Sequence, residues 1–305
     1  MRVIVAGLGV QGCKRRTFAG ASFVASVDPV NPAADFRDLS EVPFTDYDAV
    51  LACIPDEPKF NLVRYCLFNG KHVLVEKPLW TEHNEQISEL ESLAHKNNVV
   101  CYTAYNHRFE PHFIRMRDLI TSGELGRIYS CRMFYGNGTA RLVRDSLWRD
   151  QGAGVLTDLG SHLLDTCSFW FGTELSSFNL ISAHRFENRA LDHVVVSSNY
   201  PEPRIELEMT LCMWRNHFTC DVLGEKGTAH IESLCKWGPS IFTHRTRLLP
   251  SGRPNEQRIE LVQSDPTWAQ EYAHFQKLVV TDTITDLSKD LDLQSNLRRL
   301  GAEVT

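Results

Sequence analysis

Val3-Ile4-Val5-Ala6-Gly7-Leu8-Gly9-Val10-Gln11-Gly12-Cys13-Lys14-Arg15-Arg16-Thr17-Phe18-Ala19 is the stretch that decides the fold. A short apolar strand, Arg2–Ala6, runs into Gly-x-Gly-x-x-Gly, and a helix over Gly9–Ala19 follows. The first glycine permits a tight turn, the second lets the backbone approach a pyrophosphate, and the third lets helix and strand pack closely. The helix N-terminus adds unpaired N–H groups and a partial positive charge. A second strand, Phe23–Val27, ends on Asp28, 16 residues past Gly12. Its carboxylate can accept the hydroxyls of an adenosine ribose and would repel a 2′-phosphate. Pro29-Val30-Asn31 follow with no cation, so the pattern favours NAD(H) over NADP(H). Lys14-Arg15-Arg16 is the counter-evidence, and it reads as a solvated face of the first helix. Gly7, Gly9, Val10, Gln11, Gly12 and Asp28 are therefore cofactor-binding candidates.

Working outward, strand and helix patterns alternate: strands at Ala49–Ile54, His72–Glu76 and Val99–Ala104, and helices at Glu57–Asn69 and Thr81–Asn97, the latter capped by Thr81. Such alternation implies parallel strands with right-handed crossovers, a doubly wound Rossmann-type sheet. Pro29–Asp48 is too short and proline-broken for a full crossover helix; one turn near Ala34–Leu39 and an open adenine side are expected. After a helix at Pro111–Ser122 the texture changes. Strand patterns run at Ile128–Tyr135, Phe178–Ala183, His193–Asn199, Ile205–Met213, Phe218–Leu223 and Thr228–Ile231, with a helix at Gly154–Phe171 between them. Two helices, Trp268–Val280 and Asp286–Leu300, follow. The expected organisation is α/β plus α+β: a dinucleotide-binding domain at 1–110, and at 111–305 an open, mostly antiparallel sheet covered by helices on one face. The other face, expected to carry Val194, Val196, Leu207 and Met209 or their alternates, predicts a homodimer or homotetramer through that sheet.

Composition bounds the rest. The 305 residues are 43% hydrophobic and 23% charged, an ordinary globular balance. A net charge of -6 argues against nucleic acid as partner. No apolar run approaches the ~20 residues of a membrane helix, and the N-terminal apolar stretch is too short for a signal peptide. The nine cysteines form no CxxC pair and read as reduced, mostly buried small hydrophobes of a cytoplasmic protein with no metal site.

Five motifs in order give a resemblance covering nearly the whole chain. They are the glycine loop; Gly70-Lys71-His72-Val73-Leu74-Val75-Glu76-Lys77-Pro78; Asn106-His107-Arg108-Phe109-Glu110-Pro111 with Gly123-Glu124-Leu125-Gly126-Arg127-Ile128; Trp148-Arg149 with Gly152-Ala153-Gly154-Val155-Leu156-Thr157-Asp158-Leu159-Gly160-Ser161-His162; and Val222-Leu223-Gly224-Glu225-Lys226-Gly227-Thr228. Together they resemble the glucose–fructose oxidoreductase / inositol dehydrogenase / MocA family. Three departures stand out: Ile54-Pro55-Asp56 replaces Thr-Pro-Asn with Lys59 where a His is usual, Gly152-Ala153-Gly154 replaces three glycines, and the crossover after Asp28 is shortened.

Asp158 and His162 are four apart in a helical stretch, one turn apart on one face. Lys77 ends a strand at the carboxyl edge of the parallel sheet, where such sheets bind ligands, and a cis peptide before Pro78 would fix its direction. A cation, an imidazole and an orienting acid suit oxidation of a carbinol: histidine takes the hydroxyl proton and lysine steadies charge on oxygen. On spacing alone, a helix-surface Asp–His pair and a structural lysine are the better reading. The resemblance implies that Lys77, Asp158 and His162 are catalytic, and that the substrate is a sugar, polyol or sugar-derived acid, free or nucleotide-linked. Pro55, Glu76 and Lys77 join the cofactor-binding set; Asn106, Arg108, Tyr135, Trp148 and Arg149, with Asp158 and His162, are substrate-contact candidates. His107 and His112 read as ordinary polar groups. Two alternatives stay open: a dinucleotide-binding regulator of the same fold, which has no need of the reactive trio, and a dihydrodiol- or biliverdin-type reductase with an apolar pocket.

Overall fold

The computed structural model describes residues 1–146, 149–172, 178–198 and 202–303. The chain forms two compact units, one of 1–106 with 267–294 and one of 107–266 with 295–305. This differs from the contiguous division expected at residue 110. The reason lies in helix α7 (Thr267–Val280), which buries Tyr272 and Phe275 among Val3, Val5, Leu51, Leu74 and Tyr102 of the first unit.

In the first unit, β1 (Val3–Ala6), β2 (Phe23–Val27), β3 (Ala49–Ala52), β4 (His72–Glu76) and β5 (Cys101–Ala104) form an all-parallel sheet ordered β2-β1-β3-β4-β5. Successive residues of β1 serve opposite faces. Val3 and Val5 meet α7, while Ile4 and Ala6 pack toward Val63, Leu67, Ile87 and Leu90 of α2 (Asp56–Phe68) and α3 (Asn84–Lys96). A parallel sheet buried on both faces explains why these strands read as continuous apolar runs. The order reverses between β1 and β3, the switch point at whose carboxyl end such sheets open a crevice. Helix α1 (Val10–Ala19) follows the glycine loop there.

Two local expectations are corrected. The helix expected from Thr81 begins at Asn84 with His83 as N-cap; the Thr81 hydroxyl instead donates to the His83 carbonyl. No turn forms at Ala34–Leu39. Phe36 bridges Val27 along the sheet edge, and short 3-10 turns follow at Leu39–Glu41 and Phe44–Asp46.

The second unit carries an eight-stranded sheet ordered β13-β12-β11-β10-β6-β9-β8-β7, antiparallel except for the β6–β9 pair. Its strands are β6 (Ile128–Gly136), β7 (Phe178–His184), β8 (His193–Ser198), β9 (Arg204–Thr210), β10 (His217–Gly224), β11 (Gly227–Glu232), β12 (Ser240–Thr246) and β13 (Asn255–Leu261). The last two were not expected: β13 reads Asn-Glu-Gln-Arg-Ile-Glu-Leu, an edge strand with too little apolar alternation to signal itself. Helices α4 (Pro111–Thr121) and α6 (Ser161–Phe171) pack on each other, and a short α5 spans Ala140–Arg144.

The face expected to be uncovered is also corrected. Val194, Val196, Leu207 and Met209 are all fully buried. Side chains alternate along a strand, so the opposite face presents their neighbours. There, cross-strand ion pairs join Arg132 to Glu206 at 2.9 Å and Arg245 to Glu256 at 2.7 Å, and the His230 ring lies 2.5 Å from Asp221. Six of the nine cysteines are buried. No helix among the described residues is long and apolar enough to cross a membrane.

Candidate functional site

The site residues of the first unit gather at the carboxyl edge of the parallel sheet. A Cβ on Gly12 would meet the Gly7 carbonyl oxygen at 1.8 Å, so α1 can start this close to β1 only through glycine. A Cβ on Gly9 would meet nothing within 4 Å. Packing therefore does not require that glycine, and the open space outside it leaves room for a phosphate to approach the backbone. The loop thus fits a dinucleotide on its own geometry. Val10, the first residue of α1, is 75% exposed, and Gln11 is exposed beside it.

Asp28 closes the loop from the next strand. Its Oδ2 accepts the Leu8 N–H at 2.7 Å, and Oδ1 accepts those of Val30 and Asn31 at 2.9 and 2.8 Å. Partial burial alone would raise its pKa; these backbone donors, with the Arg37 charge, outweigh that and hold it below the usual carboxylate value. Arg37 is a residue the sequence reading missed. Its Nη1 donates to the carbonyls of Asn31 at 2.7 Å and Asp28 at 3.3 Å. The shortened crossover therefore returns a cation to the end of β2, nine residues beyond the acid, a distance no local pattern reveals.

Pro55 is the N-cap residue of α2, just beyond β3. One strand further on, Glu76 ends β4, Lys77 is half-buried, and the Lys77–Pro78 peptide is cis, as the sequence suggested. With strands ~4.8 Å apart, β4 lies roughly 10 Å from the glycine-loop strand, within the span of a dinucleotide lying across the edge. Arg15 is not on a solvated face. It is 1% exposed, with Nε 2.7 Å from Glu76 and Nη2 2.7 Å from Glu271, and the Trp268 ring lies 4.4 Å away. The Asn106 amide donates to the Thr267 hydroxyl at 2.9 Å.

In the second unit, Asp158 and His162 lie on one helical run, but it is not the regular helix expected over Gly154–Phe171. Leu156–Gly160 is a π-helical turn that leads into α6. The hydroxyls of Thr157 and Ser161 donate to the carbonyls of Gly154 and Asp158 at 2.9 and 3.0 Å, competing for the main-chain ladder. Such turns often mark functional sites. The run is set close on the sheet. A Cβ on Gly154 would meet the Leu191 carbonyl oxygen at 2.2 Å, and one on Gly160 the Met209 sulfur at 2.8 Å. His162 is 8% exposed and Asp158 half-buried.

His107, expected to be an ordinary loop group, stacks on His162 with ring centroids 4.0 Å apart and an 18° interplanar angle. Arg108 explains the placement. Its Nε and Nη2 both bond the Asp165 carboxylate, the former at 3.0 Å, and Asp165 is three residues past His162 on α6. The fork ties the 106–109 turn to that helix. Tyr135 closes the group, 5.5 Å from His107 and 6.3 Å from His162. Its hydroxyl lies 3.4 Å from the Lys236 ammonium, and its ring 5.7 Å from Trp237. Lys236 and Trp237 sit in no motif, so nothing in the sequence announced them. Arg149 is half-buried, and Trp148 lies outside the described residues. Glu110, Cys235 and Asp265 are spaced to hold a cation, yet the Cys235 N–H and thiol donate to Glu110 at 2.7 and 3.0 Å, which uses that carboxyl internally.

Comparison with known proteins agrees with this geometry. Residues 6–105 match the model of the oxidoreductase family with an NAD-binding Rossmann fold, and residues 113–230 that of the GFO/IDH/MocA C-terminal domain. The uncharacterized oxidoreductase YdgJ of Escherichia coli is 28% identical over 215 residues, 67% of this chain and 61% of YdgJ. The scyllo-inositol 2-dehydrogenase (NADP(+)) IolW of Bacillus subtilis is 26% identical over 156 residues, 50% of this chain and 43% of its own. The chain thus matches about two-fifths to three-fifths of the length of such curated relatives. Levoglucosan dehydrogenase in complex with NADH superposes with a TM-score of 0.83 at 18% identity, covering 99% of this chain and 96% of that one. Both halves match models of one family, in the order that the glycine loop and the Asp158–His162 run predicted: the chain belongs to the Gfo/Idh/MocA oxidoreductase family.

Proposed function

We propose that this chain is a nicotinamide-dependent dehydrogenase or reductase that acts on a secondary carbinol, or its carbonyl, in a sugar, polyol or sugar-derived acid. The observation that carries the reading is Lys77, held at the carboxyl edge of the parallel sheet on the same edge as a glycine loop whose second glycine opens outward. The dinucleotide is held by the Gly7–Gly12 loop, the α1 N-terminus and Asp28, with Pro55 and Glu76 toward its far end. When bound, it supplies or accepts the hydride. The protein's own groups do the rest. His162 takes the hydroxyl proton on oxidation and returns it on reduction. Its stacking on His107 and the Arg108–Asp165 fork hold the imidazole plane. Lys77 steadies negative charge on the reacting oxygen, and Asp158, one turn from His162, orients the imidazole. Tyr135, Arg149 and Asn106 border the substrate.

NAD(H) is the favoured cofactor, because the Asp28 carboxylate is stabilised as an anion where a 2′-phosphate would lie. Arg37 opposes that preference in part. A panel of inositols, anhydrosugars, aldoses and sugar acids, each offered with NAD and with NADP and followed by nicotinamide absorbance, tests the reading. Turnover of a member of the polyol or sugar class supports it. Cofactor binding without turnover of any carbinol, or absence of cofactor binding, counts against it.

A further inference from the structure

The first unit buries two cations that the reaction itself does not use, and both reach the same three residues. Lys59, on α2, is 1% exposed; its ammonium donates to the Pro78 carbonyl at 2.7 Å and to Asp56 at 2.6 Å. Arg15, on α1, is equally buried and bonds the Glu76 carboxylate from the other side. Glu76 and Pro78 flank Lys77. We propose that Arg15 and Lys59 are positioning residues for Lys77, pinning the chain immediately before and after it. The inference rests on the reading of Lys77 given above.

Stability alone does not account for either cation. Buried ion pairs are often no more stabilising than apolar side chains of the same volume. Lys59 is poorly compensated in particular. One partner is a neutral carbonyl and the other, Asp56, has a side chain 49% exposed. Burial accordingly pulls the Lys59 pKa down, with Asp56 only partly restoring it. What the ammonium does achieve is directional. It fixes the Pro78 carbonyl, which belongs to the peptide just beyond the cis Lys77–Pro78 bond. Arg15 is held by Glu271 of α7 at 2.7 Å and by the Trp268 ring, so its second pin is anchored to a packed helix. Between the two, the Lys77 backbone has little freedom, and the side chain starts from one fixed origin. Catalysis is sensitive to this: a misplacement of ~1 Å costs on the order of 10²-fold.

Lys59→Met and Arg15→Met, made separately in the full chain, test the proposal without needing an identified substrate. Three quantities are read: melting temperature, NADH affinity by calorimetry, and the rate of trace acetylation of Lys77 by peptide mass spectrometry, with and without saturating NADH. In the wild type, bound NADH should slow Lys77 acetylation. In each variant that protection should be lost while NADH affinity moves by less than about threefold, because the glycine loop is untouched. Arg15→Lys and Glu271→Gln, which keep the local shape, should weaken the protection if the methionine variants do not fold. Protection retained in folded variants overturns the proposal, as does loss of NADH affinity in step with protection, which would make the cations general scaffold. A wild type that binds NADH without shielding Lys77 also overturns it. A wild type that binds no NADH overturns the functional reading beneath it. If a substrate is in hand, kcat should fall about 10²-fold with KM for NAD unchanged.

Discussion

Gly9 and Gly12 belong to one motif, yet the structure gives them different jobs, and Gly9→Ala against Gly12→Ala separates these. At Gly12 a Cβ would sit 1.8 Å from the Gly7 carbonyl oxygen. The nearest comfortable carbon–oxygen approach is over an ångström longer, and backbone on both sides must yield. Overpacking of that kind costs typically 1–3 kcal/mol and occasionally more, so about 3 kcal/mol is expected here. For a protein of this size that is roughly 6–12 °C in melting temperature of the cofactor-free protein. At Gly9 the Cβ points into open space. Gly9→Ala should leave the melting temperature within ~4 °C, because an N-cap glycine-to-alanine change costs no more than about 1 kcal/mol. It should nonetheless weaken NADH at least tenfold, because the methyl group occupies the approach of the pyrophosphate. Thermal unfolding of the cofactor-free variants and calorimetric titration with NADH give both numbers. Wild-type NADH affinity in Gly9→Ala, or an equally large loss of stability in both variants, would refute the reasoning.

Three further outcomes are expected. NAD(H) should bind several-fold tighter than NADP(H) by titration, and Arg37→Ala should widen the gap; equal or tighter NADP(H) binding in the wild type counts against Asp28 as the discriminator. Hydrogen bonds from the Ser26 hydroxyl and N–H hold the Asp35 pKa below its ordinary value. A depressed carboxylate contributes stability above its unfolded pKa of ~3.9 and loses it as pH falls through the folded value; melting temperature should therefore drop below about pH 4 less steeply in Asp35→Asn than in the wild type, and identical slopes would remove Asp35 from the acid response. We propose self-association into a dimer or tetramer through the open, charged face of the second sheet; light scattering at micromolar concentration should show it, and a monomer refutes it.

The parts of the fold that were legible in the sequence are those where one physical requirement fixes one residue pattern. Glycines at 7, 9 and 12 between a strand and a helix have few other uses, and strands buried on both faces write themselves as apolar runs. The cis peptide before Pro78 was legible too, whereas the role of Lys77 came from the resemblance alone. What was hidden depends on distance along the chain. Arg15 reads as one of three surface cations until α7, some 250 residues later, brings Glu271 to it. His107 looks like a loop polar group until Arg108 finds Asp165. The strand parity of the open face of the second sheet was not legible, because Val194–Val196 and Leu207–Met209 alternate with Val195 and Glu208, and alternation alone does not say which face the helices cover.

The central claim is that proton and hydride leave the same carbinol, the proton to His162. Its most direct test is turnover of the best substrate from the panel by wild type and His162→Ala, across pH, with NAD affinity measured alongside. The account predicts a loss of about 10²–10⁴ in kcat, the size of an acid–base contribution, with the near-neutral limb of the pH profile gone and NAD affinity unchanged. Near wild-type turnover by His162→Ala with that limb intact would contradict it.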